Sequence, residues 1–113
     1  MPVFRNVGSE GTLVKKGVRR KVVYLENLMT AVIDFSDGPW MEPDPFHSHI
    51  QEQISYVVDG EIIFFCENEP DQYLRAGDMF YIPSGKKHAI QLLSPQARLI
   101  DNFSPIRKDF LDK

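Results

Sequence analysis

The sequence predicts a single all-β domain, arranged as a sandwich or barrel. Three observations predict it. Short runs rich in β-branched and aromatic residues recur along the chain, turn residues separate them at close spacing, and only the last few residues read as helix. At 113 residues the chain has the size of one domain, 1–113. Its 42% apolar and 26% charged residues match ordinary globular proteins and exclude a disordered chain.

VRRKVVYLE (18–26) is the first strand-like run, and Asn27 divides it from LMTAVIDF (28–35). Gly38, Pro39, Pro43 and Pro45 then punctuate a loop of about ten residues. QISYVV (53–58) runs into Asp59-Gly60, and EIIFFCE (61–67) leaves it. Asp-Gly between two apolar runs predicts a hairpin with a type I′ turn, which needs positive φ at both central residues. QYLRAGD, MFYIP, KHAIQLL and ARLIDNF follow, divided by Gly77, Pro83-Ser84-Gly85 and Ser94-Pro95. RKDFLDK, after Pro105, predicts a short C-terminal helical segment.

Composition removes several function classes. No apolar run approaches the ~20 residues that cross a bilayer. The opening MPVFRNVGSE lacks the charged-then-apolar pattern of a signal peptide. The expectation is a cytoplasmic protein with no membrane partner. A net charge of −3 argues against a nucleic-acid partner. The basic cluster Lys15, Lys16, Arg19, Arg20 and Lys21 reads as a solvated strand with its preceding turn, with an anion-binding surface as the rival. Cys66 is the only cysteine, so no internal disulfide forms, and within IIFFCEN it reads as a buried, inert thiol.

The chain has three histidines, His47, His49 and His88. Residues two apart on a strand share a face, so His47 and His49 can converge on one ion. Gln53 has their parity and Glu52 the opposite one. If the strand resumes in register, Gln53 faces the histidines; a shifted register would bring in Glu52 instead. A barrel can carry His88 against the same strand. Three imidazoles suit Zn, Cu, Fe or Ni better than Mg or Ca.

From His47 the chain reads H-S-H-x3-Q-x6-G to Gly60, and from Gly77 it reads G-x5-P-x-G-x2-H to His88. Together these resemble the two motifs of the cupin superfamily, with motif one at about 38–60 and motif two at about 77–92. The resemblance implies a double-stranded β-helix, or jelly-roll, barrel with one divalent metal. Three positions depart from the family pattern. Gln53 stands for the usual Glu ligand, Met41 for the opening Gly, and Leu92 for the final Asn. A glutamine ligand beside three neutral imidazoles leaves a divalent ion its full charge. That favours an anionic substrate and disfavours the high-valent states a dioxygenase needs.

Asp101 and Phe103 share a face in the last long run, with Leu99. A carboxylate in an apolar series is unusual. It reads either as structural, paired with Arg107 or placed at a sheet edge, or as an acid/base facing the cavity. Arg107 reads either as a surface helix charge or as a fork for a substrate carboxylate.

The run H-S-H-x-x-E-Q-I-S-Y-V-x-x-G-E with D-x-F-S-P-x-R-x-D-F-L is similar to the small one-domain cupins of pectin and alginate breakdown, the KdgF-like group. The resemblance implies a metal site of His47, His49, Gln53 and His88 holding Ni, Zn, Mn, Fe or Co. It implies activity residues at Asp101, Phe103 and Arg107. The implied reaction converts 4,5-unsaturated monouronates, the products of polysaccharide lyases, to linear keto forms. The implied partner is a small anionic sugar acid, and the implied assembly is a homodimer. The rival readings are a metal-dependent dioxygenase on a small enol and a non-catalytic sugar-acid sensor.

Overall fold

The computed structural model describes residues 3–5 and 11–111. Nine strands follow one another: β1 (Thr12–Lys15), β2 (Val18–Tyr24), β3 (Met29–Phe35), β4 (Glu52–Asp59), β5 (Glu61–Cys66), β6 (Gln72–Arg75), β7 (Met79–Ile82), β8 (His88–Leu92) and β9 (Ala97–Ser104). They form a six-stranded sheet, β1-β2-β3-β9-β4-β7, and a three-stranded sheet, β6-β5-β8. Two sheets that divide the strands in this way match the all-β barrel that the resemblance implies. No helix among the described residues is long and apolar enough to cross a membrane.

Alternation explains the core. Gln53, Ser55 and Val57 of β4 point inward while Glu52, Ile54 and Tyr56 face out. Ile62, Phe64 and Cys66 do the same on β5. Val57, Ile62 and Leu92 are fully buried where the sheets meet. Each such side chain stabilises the fold by about 1.5–3 kcal/mol. A second cluster joins Met29, Ala31 and Phe103 to Ile106, Phe110 and Leu111, and so packs the C-terminal segment against β3 and β9.

Two local expectations are corrected, and one strand is added. Asp59-Gly60 is not a hairpin turn: β4 pairs with β7 and β9, whereas β5 pairs with β6 and β8. The pair carries the chain from one sheet to the other, and only Gly60 has positive φ, 89°. A Cβ on Gly60 would lie 2.4 Å from the Gln96 carbonyl oxygen, so glycine here also permits close approach. The C-terminal helical segment is only a 3-10 turn, Lys108–Phe110. No side chain caps it, and its place is set by Phe110 meeting Phe103 edge-on at 5.4 Å. Residues 112–113 of the expected segment lie outside the described residues. Finally, β1 escaped sequence reading because all four of its residues are exposed and leave no alternation to detect.

Candidate functional site

His47 and His88 meet in an isolated antiparallel bridge. The His47 amide donates to the His88 carbonyl at 3.0 Å, and the His88 amide returns the bond at 2.9 Å. This ties the loop before β4 to β8. The Gly85 amide holds the His49 carbonyl at 2.8 Å. The chain then bends at Ile50 and Gln51 before β4 begins, so the H-x-H pair sits on a single bridge rather than on a continuous strand. Ring centroids stand 4.3 Å apart for His47 and His88 and 5.0 Å apart for His49 and His88. One nitrogen from each ring lies within 4.8 Å of the others, close enough to share an ion.

Backbone carbonyls select the tautomers. Nδ1 of His88 lies 2.9 Å from the Lys86 oxygen, Nδ1 of His49 lies 3.0 Å from the Gln51 oxygen, and Nδ1 of His47 lies 3.4 Å from the Pro45 oxygen. A carbonyl only accepts, so each Nδ1 holds the proton and each Nε2 keeps a lone pair. Burial, ahead of the other causes, pushes the His88 pKa down to about 4. Burial, then the Arg107 charge, lowers that of His49. Both rings are therefore neutral at neutral pH, the form that binds metal.

Gln53 is buried beside this cluster, whereas Glu52 is exposed. The Gln53 amide nitrogen donates to Ser55 Oγ at 2.9 Å, and Ser55 Oγ donates to Asp101 Oδ1 at 2.6 Å. That leaves Gln53 Oε1 turned toward His49 Nε2, 3.1 Å away. Two lone-pair atoms at this separation repel unless a cation lies against both. Three imidazole nitrogens and an amide oxygen thus fit a divalent transition ion.

The cluster opens on a cavity of about 320 Å³, at the small end of ligand pockets. His47, His88 and Gln53 line it with Asp101, Phe103 and Arg107. His49 stands behind, edge-on to Phe103 at 5.7 Å. Burial, opposed by the Ser55 hydrogen bond, raises the Asp101 pKa to about 6. Asp101 is neither paired with Arg107 nor at a sheet edge, because β9 lies between β3 and β4. No side-chain nitrogen or oxygen among the described residues is sealed off without a partner. Asp101 Oδ2, which accepts no bond from a described residue, is therefore open to the cavity.

Arg107 is not a surface charge: its side chain is only 15% exposed. It grips Asp109 through Nε at 3.3 Å and Nη2 at 2.8 Å, and lies over Phe110 at 4.2 Å and Phe103 at 5.3 Å. Sequence reasoning missed Ser55 and treated Arg20 as solvated. The signal was present for both. Ser55 has the parity of Gln53, and Arg20 that of the buried Val18, and Arg20 also lines the cavity.

Residues 40–101 match the family model described as a cupin domain. The chain belongs to the cupin family. This cupin is 34% identical over 97 residues to the pectin degradation protein KdgF of Dickeya dadantii, an alignment covering 84% of each chain. It superposes on the solved structure of KdgF from Halomonas sp. with a TM-score of 0.84 and 32% identity, covering 95% of this cupin and 97% of that chain. An RmlC-like cupin from Shewanella frigidimarina gives a TM-score of 0.83 and 30% identity, over 95% of this cupin and 93% of that chain. Within the family, then, this cupin is KdgF-like.

Proposed function

We propose that this cupin opens the ring of 4,5-unsaturated monouronates, the products of polysaccharide lyases, and converts them to linear keto forms. The supporting observation is the hydrogen-bonded chain from Gln53 through Ser55 to Asp101, which joins a metal-binding cluster to a buried acid within one small cavity. The similarity to a pectin degradation protein points to the same substrate class.

His47, His49, Gln53 and His88 would hold one divalent transition metal, which when bound supplies positive charge for a ring or enol oxygen. The substrate is a cyclic hemiacetal with an enol ether and a carboxylate. Opening breaks the bond between the anomeric carbon and the ring oxygen. The hemiacetal hydroxyl gives up its proton, and the ring oxygen becomes an enol oxygen. A proton then adds at carbon as one leaves that oxygen. The sum is an isomerisation that needs no oxidant.

Asp101 carries the protons. A carboxyl group with pKa near 6 exchanges protons readily at neutral pH. Ser55 fixes Asp101 Oδ1, which directs Oδ2 at the cavity. Phe103 forms an apolar wall, and Arg107 adds positive charge for the uronate carboxylate. The same reading takes residues 1–113 as one domain that works as a homodimer. β1, an edge strand with Leu13 and Val14 exposed, is the surface for self-association.

The test is incubation of metal-loaded protein with a lyase digest of pectin or alginate. The expected result is loss of the C=C absorbance without oxygen uptake. Absorbance loss that tracks oxygen consumption would establish a dioxygenase instead. Binding without turnover would leave the sensor reading.

A further inference from the structure

We propose that Arg20 anchors the carboxylate of the sugar acid in this cavity and makes the site selective for uronates over neutral sugars. The inference rests on the reading above for its substrate class. Its evidence is a cavity-lining guanidinium without a hydrogen-bond partner among the described residues.

Arg20 lies on an inward row of β2. Its neighbours in that row are Val18, in the core, and Val22, packed against the Met29 cluster. Its cross-strand partner Ile33 lines the same cavity. A guanidinium in an apolar row is costly unless an anion meets it. Three cations line the cavity: Lys15, Arg20 and Arg107. Lys15 is paired with Asp44 at 2.9 Å, and Arg107 grips Asp109 through two nitrogens. Arg20 makes no hydrogen bond or ion pair with any described residue. Its guanidinium is instead held against the Phe110 ring at 3.8 Å.

That stack orients the planar group and leaves its N–H edge for a ligand. Burial and the Arg107 charge work against the Arg20 cation and the Asp109 charge offsets them only in part, so an incoming anion relieves a standing penalty. A carboxylate matches the guanidinium edge with two parallel hydrogen bonds. With its own edge on Asp109, Arg107 contributes field. Arg20 contributes the direct contact.

The experiment measures binding of D-galacturonate and D-galactose by titration calorimetry to metal-loaded protein, to Arg20→Gln and to Arg20→Met. The methionine variant keeps an unbranched stem against Phe110, and circular dichroism checks that each variant is folded. Galacturonate should bind the parent more tightly than galactose. Its affinity should fall about 10- to 100-fold in both variants, the scale of a lost charge-assisted hydrogen bond, with galactose unchanged. In turnover of unsaturated uronate, KM should rise while kcat stays close to the parent's. Unchanged galacturonate affinity in a folded variant, or no preference for galacturonate in the parent, would overturn the assignment. Loss of galacturonate binding in the variants without turnover by the parent would sink the reaction and keep the anchor. Turnover with an unchanged KM in the variants would do the reverse.

Discussion

Ser55 and Asp101 face each other as direct partners across β4 and β9, and the Ser55 hydroxyl reaches Asp101 Oδ1 at 2.6 Å. Both residues are buried. The hydroxyl has one proton, and it goes to the carboxylate. Its oxygen is then free to accept from the Gln53 amide, and this decides which end of that amide faces the histidines.

Ser55→Ala should therefore weaken metal binding although Ser55 touches no metal. Loss of a partner that orients a ligand typically costs about 10- to 100-fold in affinity. Chelator competition measures it. Affinity equal to the parent's would show that the Gln53 orientation does not depend on Ser55. The fold should lose about 1–3 kcal/mol, since the buried Gln53 amide nitrogen is left without its acceptor.

One metal per chain is expected, and His49→Ala should lose most of it. The Gln51 carbonyl holds His49 at Nδ1, which leaves Nε2 facing Gln53 Oε1 across the ion position. Elemental analysis of parent and variant is the measurement. Equal metal content would remove His49 from the ligand set.

Asp101→Asn should cut turnover by about 10²–10⁴, the usual contribution of a general acid or base, with the metal retained. Stability should move the other way. The raised Asp101 pKa stabilises the fold fully below about pH 3.8, and that contribution is lost as pH rises through about 6. His88 opposes it: its depressed pKa contributes above about pH 6.5, and this is lost as pH falls through about 4. Comparing variant with parent removes the histidine part. In metal-free protein, Asp101→Asn should gain up to about 3 kcal/mol on the parent as pH rises from about 3.8 to about 6, and the gain should level off above that. Melts across that range would show a flat difference if Asp101 did not ionise there.

Arg107→Lys keeps the charge and loses the two-pronged grip on Asp109. Its main effect should be a higher KM, several-fold, with kcat nearly unchanged. The metal should stay, because Arg107 is not among the ligands. A large fall in kcat at an unchanged KM would place Arg107 in the chemical step.

Most of the strand runs, the closeness of His47 to His49, the opposite parity of Gln53 and Glu52, and the motif spacing of the family are legible in the residues alone. These are local properties, because a strand's period of two assigns each residue to a face without reference to its neighbours. Which strands lie side by side is not local, and the tertiary structure alone decided it. The sequence could not show that Asp59-Gly60 passes between sheets, because a hairpin and a crossover share the same turn residues. Nor could it show that Asp101 meets Ser55, 46 positions away, rather than Arg107. Arg20 is the clearest case. Its charge stands in the sequence, but only the fold shows that this face of β2 looks into the cavity, with the guanidinium against Phe110 and no carboxylate of a described residue within ion-pair distance. Charge is legible in a sequence; whether a charge is matched depends on what packing brings within reach.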